Sequence, residues 1–527
     1  MGRAKASPAG FFALFPAAAI VTLTVVLPVV ILTAENIRFA DLFEVWARPG
    51  VAQAVWFSTW QAAVSTMLTV VLGLVPTWIL SRYKFRGRTL VHLLLTAPFV
   101  LPTVVVGAAF LALLPDALDR SVGAIVAAHV FFNIALVIRT VGPAWSLLED
   151  DLIRAARTLG ATPIQIWRHV LLPLAGPALR SSAALVFLMC FTSFGVVRIL
   201  GGPTRATVDV EIYRRVVQLG DTSGATVLAL TQTILIALAA TIWMRRPTLA
   251  LHTAQSPSHS QQSSAPRFLL GVAYLSAAIM TIPIIALVVS SLRTENGLSL
   301  RSYKVLFGLE TVDRLPVEIT GVVTTSILFA FLTVIIAVPS GVLAAQALTR
   351  RSGRERSSKK FPFTSALFVL PLGTSAVVVG FGILVTYDQD PYDIRSAWWL
   401  IPVVHAAIAL PFVIRSAIPV LQSVPPDLRE AASSLGASPT QRFFSIDLPL
   451  IRPAITSAIA LSGALSLGEF GATSFLTRRD TETLPIAISR LLSRAGSLSF
   501  STAMAATTLL LVLTMAVISL ADSGSRR

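Results

Sequence analysis

The segment "DLIRAARTLGATPIQIWRHVLLP" at 151–173 reappears as "DLREAASSLGASPTQRFFSIDLP" at 427–449, 276 residues later in a chain that is otherwise mostly apolar. From 151 to 179, fourteen of 29 positions recur at 427–455. A connector that merely links two spans needs no fixed spacing between its breaks, so a repeated one marks a surface with a partner.

Elementary backbone physics predicts its shape. Asp151 and Asp427 suit an N-cap, because a carboxylate accepts from the free amides of a helix start. Ala155-Ala156 and Ala431-Ala432 favour helix and leave a thin surface for close approach. Gly160 and Gly436 supply the left-handed residue that ends a short helix. Thr162-Pro163 and Ser438-Pro439 then offer a new N-cap followed by proline at the first helical position. A second short helix is expected to run to Leu172-Pro173 or Leu448-Pro449, where proline breaks it.

The surroundings are lipid-soluble. Of 527 residues, 54% are hydrophobic and 13% charged, with a mean hydropathy of +0.76, against roughly 25% charged in soluble domains. The net charge of +16 does not indicate nucleic acid. Its cations sit in short loops between apolar runs, as the positive-inside rule expects, without aromatic-interleaved basic patches. The single cysteine, Cys190, excludes an intramolecular disulfide.

Twelve runs approach the roughly 20 residues that cross a bilayer. They lie near 11–33, 55–80, 91–114, 122–141, 183–200 and 225–243, then 268–291, 319–347, 361–386, 396–420, 453–476 and 501–520. The first is too long for a cleaved signal core and reads as a retained helix. Basic loops at 82–88 and 350–360 place both termini in the cytoplasm, although 478–494, with four arginines, falls on the opposite side. The fold expected is an all-α polytopic membrane protein: a six-helix half at 1–246, a flexible cytoplasmic linker at 247–267 and a second half at 268–527. The linker contains "TAQSPSHSQQSSAPR", too polar to order itself.

The halves are copies. At the 276 offset "LVIRT" (136–140) meets "FVIRS" (412–416), His129 meets His405, and Phe194-Gly195 meets Phe470-Gly471. "FVLP" recurs at 99–102 and 368–371. Six spans return the chain to its starting side, so the repeats are parallel, with a pathway expected between them.

The spacing E-A-A, three residues, G, nine residues, I-x-L-P resembles the motif of the integral-membrane subunits of bacterial ABC importers. The second copy matches throughout: Glu430-Ala431-Ala432, Gly436, Ile446 and Leu448-Pro449. The first has Arg154 for the glutamate and Val170 for the isoleucine. The resemblance implies that each loop is a coupling helix docking a cytoplasmic ATPase. Two ATPase copies and an external solute-binding protein are the partners, beside membrane lipid, in a bacterial plasma membrane. ATP and Mg act on the ATPase, and this chain binds no cofactor and has no catalytic residues of its own. The first loop would present Asp151, Arg154, Ala155, Ala156, Gly160, Pro163, Leu172 and Pro173. The second would present Asp427, Glu430, Ala431, Ala432, Gly436, Pro439, Leu448 and Pro449. "AHVFFN" (128–133), "FTSFG" (191–195) and "LSLGEFG" (465–471) resemble thiamine and ferric-iron importer permeases, the first two leaning toward thiamine. "GEFGA" is shared with sulfate and molybdate permeases.

Glu469 lies in or near the eleventh run, where a charge costs about 2.5–3.5 kcal/mol on insertion scales. With Phe194 and Phe470 it is a candidate for the pathway or gate, packing and bonding to the opposite half. His129 and His405 have no second histidine or carboxylate at i+3 or i+4, which favours structural hydrogen bonds over a metal site. Arg139 and Arg415 read as snorkelling cations. No nucleotide-binding loop G-x-x-x-x-G-K-[ST] is present, so energy must enter through partners. An ion-gradient-driven secondary transporter is the rival class, and Glu469 alone offers itself as its embedded ionisable group.

Overall fold

Runs of Leu, Val, Ile and Ala too long for one strand fold as helices, because inside a membrane each backbone group must find its partner within its own segment. The computed structural model describes residues 8–36, 41–146, 150–244, 265–294, 297–310, 319–354, 368, 371, 374–389 and 392–525. Among these, nine helices are long and apolar enough to cross a membrane: Ala13–Ala34, Val51–Arg82, Val122–Ser146, Pro163–Phe191, Thr222–Ala239, Arg267–Leu292, Ile319–Thr349, Leu400–Ser423 and Ser497–Leu520. Two more candidates are bent pairs, Arg88–Val100 with Thr103–Leu113 at 109° and Thr440–Leu450 with Arg452–Gly468 at 73°. A shorter apolar helix is Ala376–Tyr387. Each overlaps one of the twelve predicted runs, and of the run at 361–386 most residues before 374 lie outside the described residues. Strands are limited, among the described residues, to two short two-stranded ladders.

Two runs are not the continuous helices expected. The run at 183–200 is the end of a helix that stops at Phe191, and Gly195–Leu200 restarts after a break at 192–194. The run at 453–476 breaks likewise after Gly468 and restarts at Thr473–Leu476. Both breaks fall at the repeated Phe-Gly pair, Phe194-Gly195 and Phe470-Gly471.

The chain packs as two compact units that cut across the sequence halves. One holds Leu42–Glu211 and Val227–Arg293, the other Met1–Asp41, Ile212–Thr226 and Thr294–Arg527. Thus Arg267–Leu292, first span of the second half, packs on Val51–Arg82 and Thr103–Leu113. Pro8–Val21 packs on Ile319–Arg354, and Leu27–Asn36 on Ala376–Tyr387. The predicted linker at 247–267 lies, up to residue 264, outside the described residues.

Within each unit one helix pair repeats. A Cβ on Gly73 would stand 3.1 Å from Val137 Cβ, and one on Gly341 2.9 Å from Val413 Cβ. A missing side chain lets two helices approach closely where water supplies no driving force. Ser58 Oγ accepts from the Val208 amide at 2.8 Å, and Ser326 Oγ from the Leu484 amide at 2.8 Å. These matches set a 268-residue offset for the second span of each half, against 276 further on.

Candidate functional site

Both polar loops fold as helix, turn and helix. The first begins at Asp150–Thr158 and the second at Pro426–Ser434. Neither predicted aspartate is the N-cap. Pro425 takes that position in the second loop, and Asp427 lies in the first turn, where its charge faces the positive helix end without capping it. Asp151 lies inside its helix, and its side chain is outside the described residues.

The glycines act as expected. Gly160 has φ 79° and Gly436 φ 82°. The Gly160 amide donates to Arg157 O at 2.9 Å and the Ala161 amide to Ala156 O at 3.0 Å. Their counterparts, Gly436 to Ser433 O and Ala437 to Ala432 O, measure 3.0 and 2.9 Å. Such paired bonds close a helix through a left-handed residue. Thr162 and Ser438 then cap the second helix reciprocally. Gln165 and Gln441 return their side-chain oxygens to the cap amides at 2.8 Å, and their own amides donate to Thr162 Oγ1 at 3.3 Å and Ser438 Oγ at 3.2 Å. This capping box was legible as [ST]-x-x-Q.

The closing prolines do not break the helix. Trp167–Leu171 and Phe443–Asp447 are wider π-helical turns, and the Leu172 and Leu448 amides reach back five residues to Trp167 O and Phe443 O. The extra residue per turn relieves the clash of a proline ring with the preceding turn. Chain direction changes only after Ile451 in the second copy, while Pro163–Phe191 continues as one helical rod.

At the bend of each loop stands a leucine that sequence reasoning passed over. Leu159 is 86% exposed and Leu435 88%. Covering a leucine contributes about 1.5–3 kcal/mol, and these two are the most exposed large hydrophobic side chains among the described residues. The repeated Leu-Gly was their signal. Arg154, Ala155, Gly160, Pro163 and Pro173 are exposed beside the first, and Asp427, Glu430, Ala431, Gly436 and Pro449 beside the second. Ala156, Leu172, Ala432 and Leu448 are half-buried. The side chain of Pro439 is outside the described residues.

Away from the loops, the paired histidines anchor the span breaks. His129 Nε2 lies 2.9 Å from Ser193 Oγ and its Nδ1 3.3 Å from Ser65 Oγ. His405 Nδ1 lies 2.8 Å from Ser466 Oγ and its Nε2 2.9 Å from Thr473 Oγ1. The Thr473 hydroxyl donates to Glu469, so His405 Nε2 donates to Thr473. Glu469 Oε1 accepts from the Ala472 amide at 2.8 Å and Oε2 from the Thr473 amide at 2.9 Å. His405 Nε2 stands 3.4 Å from Glu469 Oε2. Every one of these partners is in the second half, so the expected bond to the opposite half is corrected: Glu469 caps its own restarting helix. Phe194 and Phe470 are buried. Arg139, read as snorkelling, lies over the Phe99 ring at 5.6 Å. Among the described residues no group of three or more His, Cys, Asp or Glu could hold a metal.

The profile of one family, described as "Binding-protein-dependent transport system inner membrane component", matches residues 69–246 and 327–527, once in each half. The chain belongs to this family. It is therefore a multi-pass inner-membrane permease of an ABC importer, a transport subunit without an ATPase domain, for which no cofactor is expected. Energy coupling and substrate capture fall to partners, and the ion-gradient reading gives way. The permease is 28% identical over 494 residues to the thiamine transport system permease protein ThiP of Brucella abortus (strain 2308), covering 89% of this chain and 87% of that protein. ThiP of Brucella suis biovar 1 matches at the same identity and coverage. The putative 2-aminoethylphosphonate transport system permease protein PhnV of Salmonella typhimurium is 35% identical over 191 residues, 36% of this permease and 70% of that protein.

Proposed function

We propose that this permease moves thiamine, delivered by an extracytoplasmic binding protein, and that two copies of one ATPase dock on the loops at 150–173 and 426–449. The observation that carries the substrate reading is the length of the likeness to the thiamine permeases, 89% of this chain. The docking reading is supported by two loops that close alike, each holding one nearly bare leucine at its bend.

In this reading both termini and the linker at 247–267 are cytoplasmic, and the sequence halves 1–246 and 268–527 alternate between inward- and outward-open states. Closure of the ATPases draws the two loops together, and the states are biased by ligands rather than created by them. Glu469, Phe194 and Phe470 act at the span breaks, where a change of packing would open or shut the pathway. A second reading, 2-aminoethylphosphonate, is favoured by the higher identity over one stretch.

The test is calorimetry on the partner binding protein with thiamine, 2-aminoethylphosphonate, ferric complexes, sulfate and molybdate, followed by uptake in proteoliposomes holding permease and ATPase. Thiamine binding with ATP-dependent thiamine uptake supports the proposal. Binding of another solute with no thiamine uptake replaces it.

A further inference from the structure

The two loops share a backbone, yet what holds each against its spans is opposite in chemistry. In the first copy the supports are Trp78, Trp145, Ile153, Trp167 and Leu171. The three indoles pack with centroids 5.3–5.6 Å apart. Trp145 is fully buried and its Nε1 donates to Leu171 O at 3.4 Å. Ile153 and Leu171 are buried with Ile166 in a small apolar cluster against Trp78 and Trp167.

At the 268 and 276 offsets the same five places hold Gln346, Leu421, Arg429, Phe443 and Asp447. Here Arg429 Nε donates to Asp447 Oδ1 at 2.8 Å, and Gln346 Nε2 to Asp447 Oδ2 at 3.3 Å. Arg429 Nη2 donates to Leu421 O at 3.3 Å. The Asp447 side chain is 3% exposed and that of Arg429 32%. An apolar wedge has become a carboxylate held from two sides.

The geometry points to Asp447 as the positioning residue of the second loop. Its carboxylate ties the loop helix, through Arg429, to the second span of its half, through Gln346, so the loop's angle is set by a directional ion pair and the hydrogen bonds beside it. At the same places the first loop is held by aromatic and aliphatic packing with one longer hydrogen bond, Trp145 Nε1 to Leu171 O. A charge-assisted hydrogen bond is lost steeply with angle and distance, whereas packing tolerates small slides. The two ATPase contacts are thus held by different forces. This rests on the docking reading above, and it assigns residues outside the motif that the two loops share.

The test uses the assembled complex in proteoliposomes, with cysteines at the exposed positions Ser434→Cys or, in the other loop, Thr158→Cys, cross-linked to the ATPase. Cys190 is buried and does not compete. Arg429→Ile strands the buried carboxylate and is expected to lower cross-linking at 434 and substrate-stimulated ATPase at least fivefold, leaving 158 within twofold. Asp447→Asn keeps an acceptor for Arg429 and is expected to fall between. Arg429→Ile with Asp447→Leu installs the first loop's own residues, removes the stranded charge, and is expected to restore both readouts to within about twofold. A double variant no better than Arg429→Ile, or equal losses at 158 and 434, overturns the proposal. No cross-linking at either position in the otherwise unchanged chain instead overturns the docking reading.

Discussion

At Gly160 and Gly436 an added methyl group and a proline ring should have opposite outcomes. Both glycines sit at positive φ, 79° and 82°, and a Cβ at either would meet nothing within 4 Å. Alanine there carries only the intrinsic penalty of the left-handed region, about 1–2 kcal/mol, on an exposed turn closed by two hydrogen bonds and a reciprocal cap. It is expected to leave assembly and uptake within about threefold of wild type. Proline is a different perturbation. Its ring fixes φ near −65°, roughly 145° from what the turn requires. It also removes the amide that donates to Arg157 O at 2.9 Å or Ser433 O at 3.0 Å. The penalty in place is at least about 3 kcal/mol, more than the turn's own bonds supply, so the loop refolds and carries Leu159 or Leu435 with it. The spans on either side are untouched, so membrane yield should hold. The assay is co-purification with the ATPase, together with ATP-driven uptake in proteoliposomes. Uncoupling by Gly160→Pro and Gly436→Pro but not by the alanines is expected. Normal assembly and uptake in both proline variants would refute the reasoning.

Three further outcomes follow from the same contacts. Glu469→Gln turns one acceptor toward the buried Ala472 or Thr473 amide into a donor, and an unsatisfied amide costs about 1–3 kcal/mol. A lower melting temperature with reduced uptake is expected, and an unchanged value for both would remove its capping and gating roles together. Trp145→Ala opens a cavity under the first loop at about 3–5 kcal/mol, read as a drop in thermal midpoint by detergent melting, and no change there would contradict the aromatic wedge. Asp221 precedes the span Thr222–Ala239, and although burial alone would raise its pKa, the Gly224 amide, Arg215 and Ser223 outweigh that and hold it below the usual carboxylate value. Its stabilisation is therefore present above the ordinary carboxylate pKa and lost as pH falls through the depressed one. Asp221→Asn should lower the neutral-pH midpoint and flatten the acid limb, and parallel acid limbs would count against it.

Much of this was legible because the sequence states it twice. The helix turns at Gly160 and Gly436, the caps at Thr162 and Ser438, and most of the apolar runs rest on local chemistry and appear where local chemistry put them. The runs at 183–200 and 453–476 are broken, and the run at 361–386 is described as a continuous helix only from Ala376. What escaped is non-local. His129 meets Ser65 and Ser193, each 64 residues away, and no i+3 or i+4 search reaches them. Glu469, expected to bond to the opposite half, instead takes the partners nearest in sequence, its own Ala472 and Thr473 amides. The crossing of each half's first span into the other packing unit leaves no mark in composition. The prolines at 173 and 449 misled because a π-helical turn can absorb a ring that an α-helical one cannot. The exchange of Trp78 for Gln346 and of Leu171 for Asp447 becomes visible only when two different offsets are laid over the helices that carry them.

The most direct test of the two-loop account is the number of ATPase copies held by one chain, counted by native mass spectrometry of the purified complex. Two copies are expected, falling to one with Leu159→Asp or Leu435→Asp and to none with both, while the permease itself stays intact. Two copies retained in the double variant would contradict it.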